Sequence, residues 1–123
     1  MMRTLKTLFF LLLFSIAIPS AHATDSPVKA TEDLLERLLP SYPHRDAFEF
    51  KIIPQDEGKD VFEIETSEGK VIIRGNSGVS LAMGLNWYLK HFCHCHVSWC
   101  GSQLKLPDPL PQVKEKIRRT AWA

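Results

Sequence analysis

Between Val79 and Phe92 apolar side chains return every three or four residues: Val79, Ala82, Leu85, Trp87, Tyr88, Leu89 and Phe92. That spacing predicts a helix with one broad buried face. It is the only long apolar-periodic run after the N-terminal segment, so the remaining elements have to cover it. Ser80, Asn86 and Lys90 fall on the opposite side. The preceding Gly75-Asn76-Ser77-Gly78 reads as a turn, with Ser77 placed to accept an orphan backbone N–H of the first helical turn. Gly84 lies mid-helix, where glycine costs about 1 kcal/mol against alanine. Its presence there predicts close approach of another backbone.

The elements upstream of this helix alternate with the periods of strands. Phe48, Phe50 and Ile52 point one way, and Glu49 and Lys51 the other. Phe62 and Ile64 oppose Glu63 and Glu65 in the same manner. Ser67-Glu68-Gly69-Lys70 is a hairpin turn, because Gly69 takes the positive φ that tight turns need. Val71 to Arg74 is the returning strand. Before all of these, Ser26-Pro27 is a helix start. Val28, Leu34, Leu35, Leu38 and Leu39 form its apolar stripe, and Pro40 ends it. The economical fold is α+β: a small, mainly antiparallel sheet of three to four strands with two helices packed on one face. A further short strand is expected over 96–99. The charged face of Glu49, Lys51, Glu63 and Glu65 is left for solvent or a neighbouring domain.

The first 23 of the 123 residues read as a signal peptide rather than as part of this fold. Arg3 and Lys6 precede an apolar run from Leu8 to Ile18, and Ala21-His22-Ala23 is a small-residue cleavage site. Eleven residues are too few to span a bilayer as a helix, which needs about 20. Removing Arg3 and Lys6 takes the formal net charge from +1 to −1. Export, periplasmic or extracellular, is expected. Neither nucleic acid nor a membrane is expected as a partner after cleavage. Residues 112–123 carry Lys114, Lys116, Arg118 and Arg119, and read as a solvated basic tail. Pro107, Pro109 and Pro111 before it predict a stiff, extended segment.

The sharpest chemical cluster is His91, Cys93, His94, Cys95, His96 and Cys100. Thiolate and imidazole suit zinc or copper. The spacing, however, supplies one C-x-C and no second pair of ligands at a distance, so no metal and no cofactor is expected. In an oxidising compartment Cys100 can fold back to form a disulfide with Cys93 or Cys95, or the thiols can pack as small hydrophobes. Glu63 and Glu65 would lie about 6.6 Å apart along a strand. That separation alone does not exclude a glycosidase carboxylate pair, but alternating charge on an open face is the simpler account. A nucleophilic Cys93 or Cys95 beside His44 or His96 would lack an orienting third group. Trp87, Tyr88 and Trp99 are core aromatics or a sugar-stacking platform.

One stretch carries a resemblance. Gly78-Val79, Gly84-Leu85, Tyr88-Leu89, Phe92-Cys93, Cys95-His96-Val97 and Trp99 lead into Gly101-Ser102-Gln103-Leu104 and Leu106-Pro107. Together they resemble the N-terminal domain of the α-N-acetylglucosaminidases, glycoside hydrolase family 89. The likeness covers roughly residues 28–119. It implies that 24–111 is that domain and that 112–123 is a truncated lead-in to a catalytic TIM-type barrel, the partner the domain would pack against. Trp99, Leu104, Leu106 and Leu110 are the residues expected to face it. The parent enzyme would remove terminal α-linked N-acetylglucosamine by a retaining mechanism. Its catalytic glutamates would lie in the barrel, so this chain contains no catalytic residue. A stand-alone exported module that binds metal or carbohydrate is the alternative.

Overall fold

The computed structural model describes residues 26–121. The expected signal segment over 1–23 lies outside the described residues. Helix α1 spans Pro27–Leu38 and a short 3-10 turn Arg45–Ala47. Strands β1 (Phe48–Ile52), β2 (Asp60–Ser67) and β3 (Lys70–Gly75) follow, then helix α2 (Gly78–His91). Two short strands, β4 (His96–Ser98) and β5 (Gly101–Gln103), precede β6 (Ile117–Ala121). No helix among the described residues is long and apolar enough to cross a membrane.

The main sheet has the order β1-β3-β2-β6. β2 pairs antiparallel with β3 and with β6, whereas β1 runs parallel to β3. The sheet is thus mixed, with one parallel pairing in an otherwise antiparallel set. The reason lies in the loop over 53–59, which carries the chain past the lane that β3 later fills. The Ile53 amide donates to the Gly75 carbonyl at 3.0 Å and extends the β1–β3 ladder. The β2–β3 turn holds Glu68 at φ 52° and Gly69 at φ 76°. Two consecutive left-handed residues are what a two-residue primed turn requires.

Alternation along the strands sends Phe48, Phe50, Phe62, Ile64, Val71 and Ile73 to one face, where they meet both helices. Ser26 caps α1 by accepting the Lys29 amide at 3.1 Å. Ser77 caps α2 reciprocally: it accepts the Ser80 amide at 3.1 Å, and the Ser80 hydroxyl accepts the Ser77 amide at 2.8 Å. That geometry corrects the expected buried face of α2. Ser80 is buried, Val79 is 62% exposed, and the inward row is Leu81, Gly84, Leu85 and Tyr88. Gly84 sits where a Cβ would stand 2.7 Å from Ile73 Cγ2 and 3.3 Å from Phe62 Cβ. The close approach is real, but the atoms pressing on it are sheet side chains rather than backbone.

The segment over 112–121 differs most from expectation. Rather than a solvated tail, Ile117–Ala121 forms an edge strand on β2. Ahead of it, Leu104, Leu106, Leu110 and Val113 pack against the helix-side core. The Tyr88 hydroxyl donates to the Pro111 carbonyl at 2.7 Å, and the Val113 amide donates to the Thr66 hydroxyl at 2.9 Å. The proline-spaced stretch is therefore strapped across the domain.

Candidate functional site

Chemistry-bearing side chains lie on three surfaces. The first is the sheet face turned away from the helices. Register places Glu63 opposite Arg74 on one side and Arg118 on the other. Glu63 accepts from Arg118 at 2.5 Å and pairs with Lys116 at 2.8 Å. Arg118 reaches on to Asp56 at 3.0 Å, and Arg74 pairs with Glu65 at 2.5 Å. Burial alone would raise the Glu63 carboxyl, but hydrogen bonds from Lys116 and Arg118 outweigh it and hold the group below its ordinary value. A carboxylate held ionised by two cations is a poor general acid. Glu63 and Glu65 share this face, Glu63 tied to Lys116 and Arg118 and Glu65 to Arg74. Val61 and Ile72, which alternate to the same face, are both buried.

The second surface is the cysteine–histidine stretch that ends α2. The Cys93 amide donates to Tyr88 O at 3.3 Å and the Cys95 amide to Leu89 O at 2.8 Å, while His94 takes φ 55°. This turns both thiols into the core and leaves His94 and His96 exposed. All three cysteines are free thiols, with Cys100 exposed at the β4–β5 turn. Burial first, then the neighbouring Cys95, pushes the Cys93 thiol up to about 11, so it is a protonated thiol at neutral pH and a weak nucleophile. Among the described residues no three or more His, Cys, Asp and Glu side chains converge as metal ligands would.

Beyond that stretch, the β4–β5 hairpin lies along the two helices. Val97, with Leu34, Leu38, Leu85 and Leu104, lines an apolar cleft of about 210 Å³ between them. Trp99 projects from the hairpin tip at 106% relative exposure. Leu104, Leu106 and Leu110, expected to face a partner with Trp99, spend much of their surface on the domain's own core. The three candidate stacking aromatics do not share a surface. Tyr88 is fully buried, edge-on to Phe48 and stacked on Phe92. Trp87 is half-buried between Phe62 and His91 with Arg119 over its ring. Trp99 stands apart.

The third surface is an open concavity of about 400 Å³ where the strapped segment passes the β2–β3 hairpin. Its polar lining comes from Tyr42, His44, Asp46, Thr66, Lys70, Asp108 and Gln112. Tyr42 is set edge-on to His44, with ring centroids 5.8 Å apart, and to Phe48. Its phenol is raised by burial and then by the nearby Asp108 carboxylate. Of these residues the sequence singles out His44 alone, and as a partner for a cysteine rather than for this concavity, because three separate segments supply the lining. The one local signal was the density of prolines beside Asp108.

Fold and surfaces together define a class: a small α+β domain whose sheet-face carboxylates Glu63 and Glu65 are ion-paired, whose Cys93 and Cys95 are in the core, and whose Trp99 stands outside. Residues 29–112 match the family described as alpha-N-acetylglucosaminidase (NAGLU) N-terminal domain. The chain belongs to that family and is an N-terminal domain of the glycoside hydrolase family 89 type. Human alpha-N-acetylglucosaminidase is 54% identical over 48 residues, which is 39% of this chain and 6% of that protein. A family 89 glycoside hydrolase from Clostridium perfringens, solved in complex with PUGNAc, superposes with a TM-score of 0.72 at 39% identity. That match covers 84% of this chain and 12% of the solved one. A doubly substituted form of the Clostridium perfringens enzyme, solved with its substrate GlcNAc-alpha-1,4-galactose, aligns equally well. The chain therefore spans a small part of the relatives it matches.

Proposed function

We propose that this domain serves as the non-catalytic N-terminal lobe of a larger exported α-N-acetylglucosaminidase. The parent enzyme would hydrolyse terminal α-linked N-acetylglucosamine in a TIM-type barrel, and this lobe would pack against that barrel. The single observation that carries the reading is the family match over residues 29–112, within relatives of which the chain is only 6% and 12%. Export draws support from the charged, apolar and small-residue regions of residues 1–23.

The lobe's contact would centre on Trp99. A wholly exposed tryptophan on a short hairpin is costly to leave in water, and tryptophan anchors dominate interface energetics. The ion-paired sheet face, apart from one buried Arg74 nitrogen without a hydrogen-bond partner, presents no exposed aromatic of this kind among the described residues. A direct test grafts this domain in place of the corresponding one in the Clostridium perfringens enzyme. The hybrid should fold and hydrolyse GlcNAc-alpha-1,4-galactose. Trp99→Ala should lower its stability by about 2 kcal/mol or more, while the isolated chain changes by less than about 0.5 kcal/mol. A hybrid indifferent to Trp99→Ala would remove the hairpin from the interface.

A further inference from the structure

We infer that the concavity between residues 42–47, the β2–β3 hairpin and residues 108–112 is a binding site for a neutral polyhydroxylated ligand, the size of one glycosyl unit. Its volume of about 400 Å³ lies at the lower end of the range of about 300–1,000 Å³ for small-molecule sites. The lining mixes hydrogen-bonding roles. Asp46 and Asp108 accept, Lys70 donates, and His44 and Gln112 do both. The Tyr42 ring and the adjoining Pro109 and Pro111 add apolar surface for the C–H face of such a ligand.

Other ligand classes fit less well. Two carboxylates against one lysine disfavour an anion. A divalent cation would need convergent ligands, and among the described residues no such group exists. An apolar ligand would desolvate a charged rim without replacing its hydrogen bonds. The Tyr42 ring is already oriented by His44 and Phe48, so part of the ordering cost is met before binding. With its ionisation pushed upward, the phenol stays a donor through neutral pH. None of this depends on the parent's activity, so the inference stands or falls apart from that reading.

The test is an NMR titration of the purified chain with N-acetylglucosamine, methyl α-glucopyranoside, glucuronate and inorganic phosphate. At least one neutral sugar should shift the backbone amides of 42–47, 69–71 and 112 saturably, with Kd of about 1–20 mM. His44→Ala and Asp108→Asn, both at exposed positions, should each weaken that binding about threefold or more and leave the other resonances in place. The inference is overturned if neither sugar saturates by about 100 mM or if the shifts fall elsewhere. Tighter binding of glucuronate or phosphate, or variants that bind as the parent chain does, would overturn it equally.

Discussion

At the scale of single residues, this chain is governed by a few polar and small side chains in tight places. Asn76 is the clearest case. Its amide oxygen accepts the Val61 amide at 3.0 Å, its amide nitrogen donates to Lys59 O at 2.6 Å, and Gln55 donates to its carbonyl at 2.6 Å. It ties the start of β2 to the turn that enters α2 while itself 4% exposed. Asn76→Ala leaves the Val61 amide and the Lys59 carbonyl without their side-chain partner and should cost about 2–3 kcal/mol in denaturant unfolding. Gly84→Ala should also destabilise, by about 1–3 kcal/mol, despite the roughly 1 kcal/mol gain in helix propensity. The new methyl would press on Ile73, which is fully buried and has nowhere to yield. The unusual glycine could be read from the sequence, as could the Ser77 cap. The exact inward row of α2 could not. Val79 fits the apolar period, yet the capping box turns the first turn so that small Ser80 is the residue beneath. Asn76 looked like an ordinary turn residue, because its partners are 15 to 21 positions away.

At the scale of elements, legibility follows local pattern. The helix from Ser26-Pro27 to the residues before Pro40 and the β2–β3 hairpin carry their start, stop and turn signals within a few residues. Strand β6 carries none. Its helix-facing apolar side chain is Ile117, and its sheet-side partner, Glu63, lies 55 positions earlier. Read alone, Lys114 to Arg119 look like a basic tail. Paired with Glu63 and Asp56, they are a strand held at its edge by charge. This arrangement predicts acid sensitivity confined to that edge. The folded Glu63 value lies below the ordinary one of 4.5. The stability it contributes is therefore fully present above that ordinary value and is lost as pH falls through the folded value. Hydrogen-exchange protection of the β6 amides, relative to those of β3, should fall on acidification below about pH 4. Glu63→Gln should reduce β6 protection at neutral pH by about 1–2 kcal/mol and flatten the pH dependence. Equal loss of protection in β3 and β6 would mean that the edge is not a separate unit.

At the scale of the whole molecule, family and fold class were legible, because one run of apolar, cysteine, tryptophan and glycine positions carries the likeness. The parallel β1–β3 pairing and the concavity at Tyr42 were not, since both are created by segments far apart in the chain. The strapping of 104–113 onto the core was equally hidden behind the prolines. The role proposed for this domain is that of a supporting lobe. Glu63 and Glu65 are held by cations, Cys93 and Cys95 are buried, and Trp99 is the most exposed of the large apolar side chains among the described residues. The most direct measurement is hydrolysis of an aryl α-N-acetylglucosaminide by the purified chain alone. The rate should equal that of buffer at any protein concentration. Turnover that rises in proportion to the chain, and persists after repurification, would contradict the account.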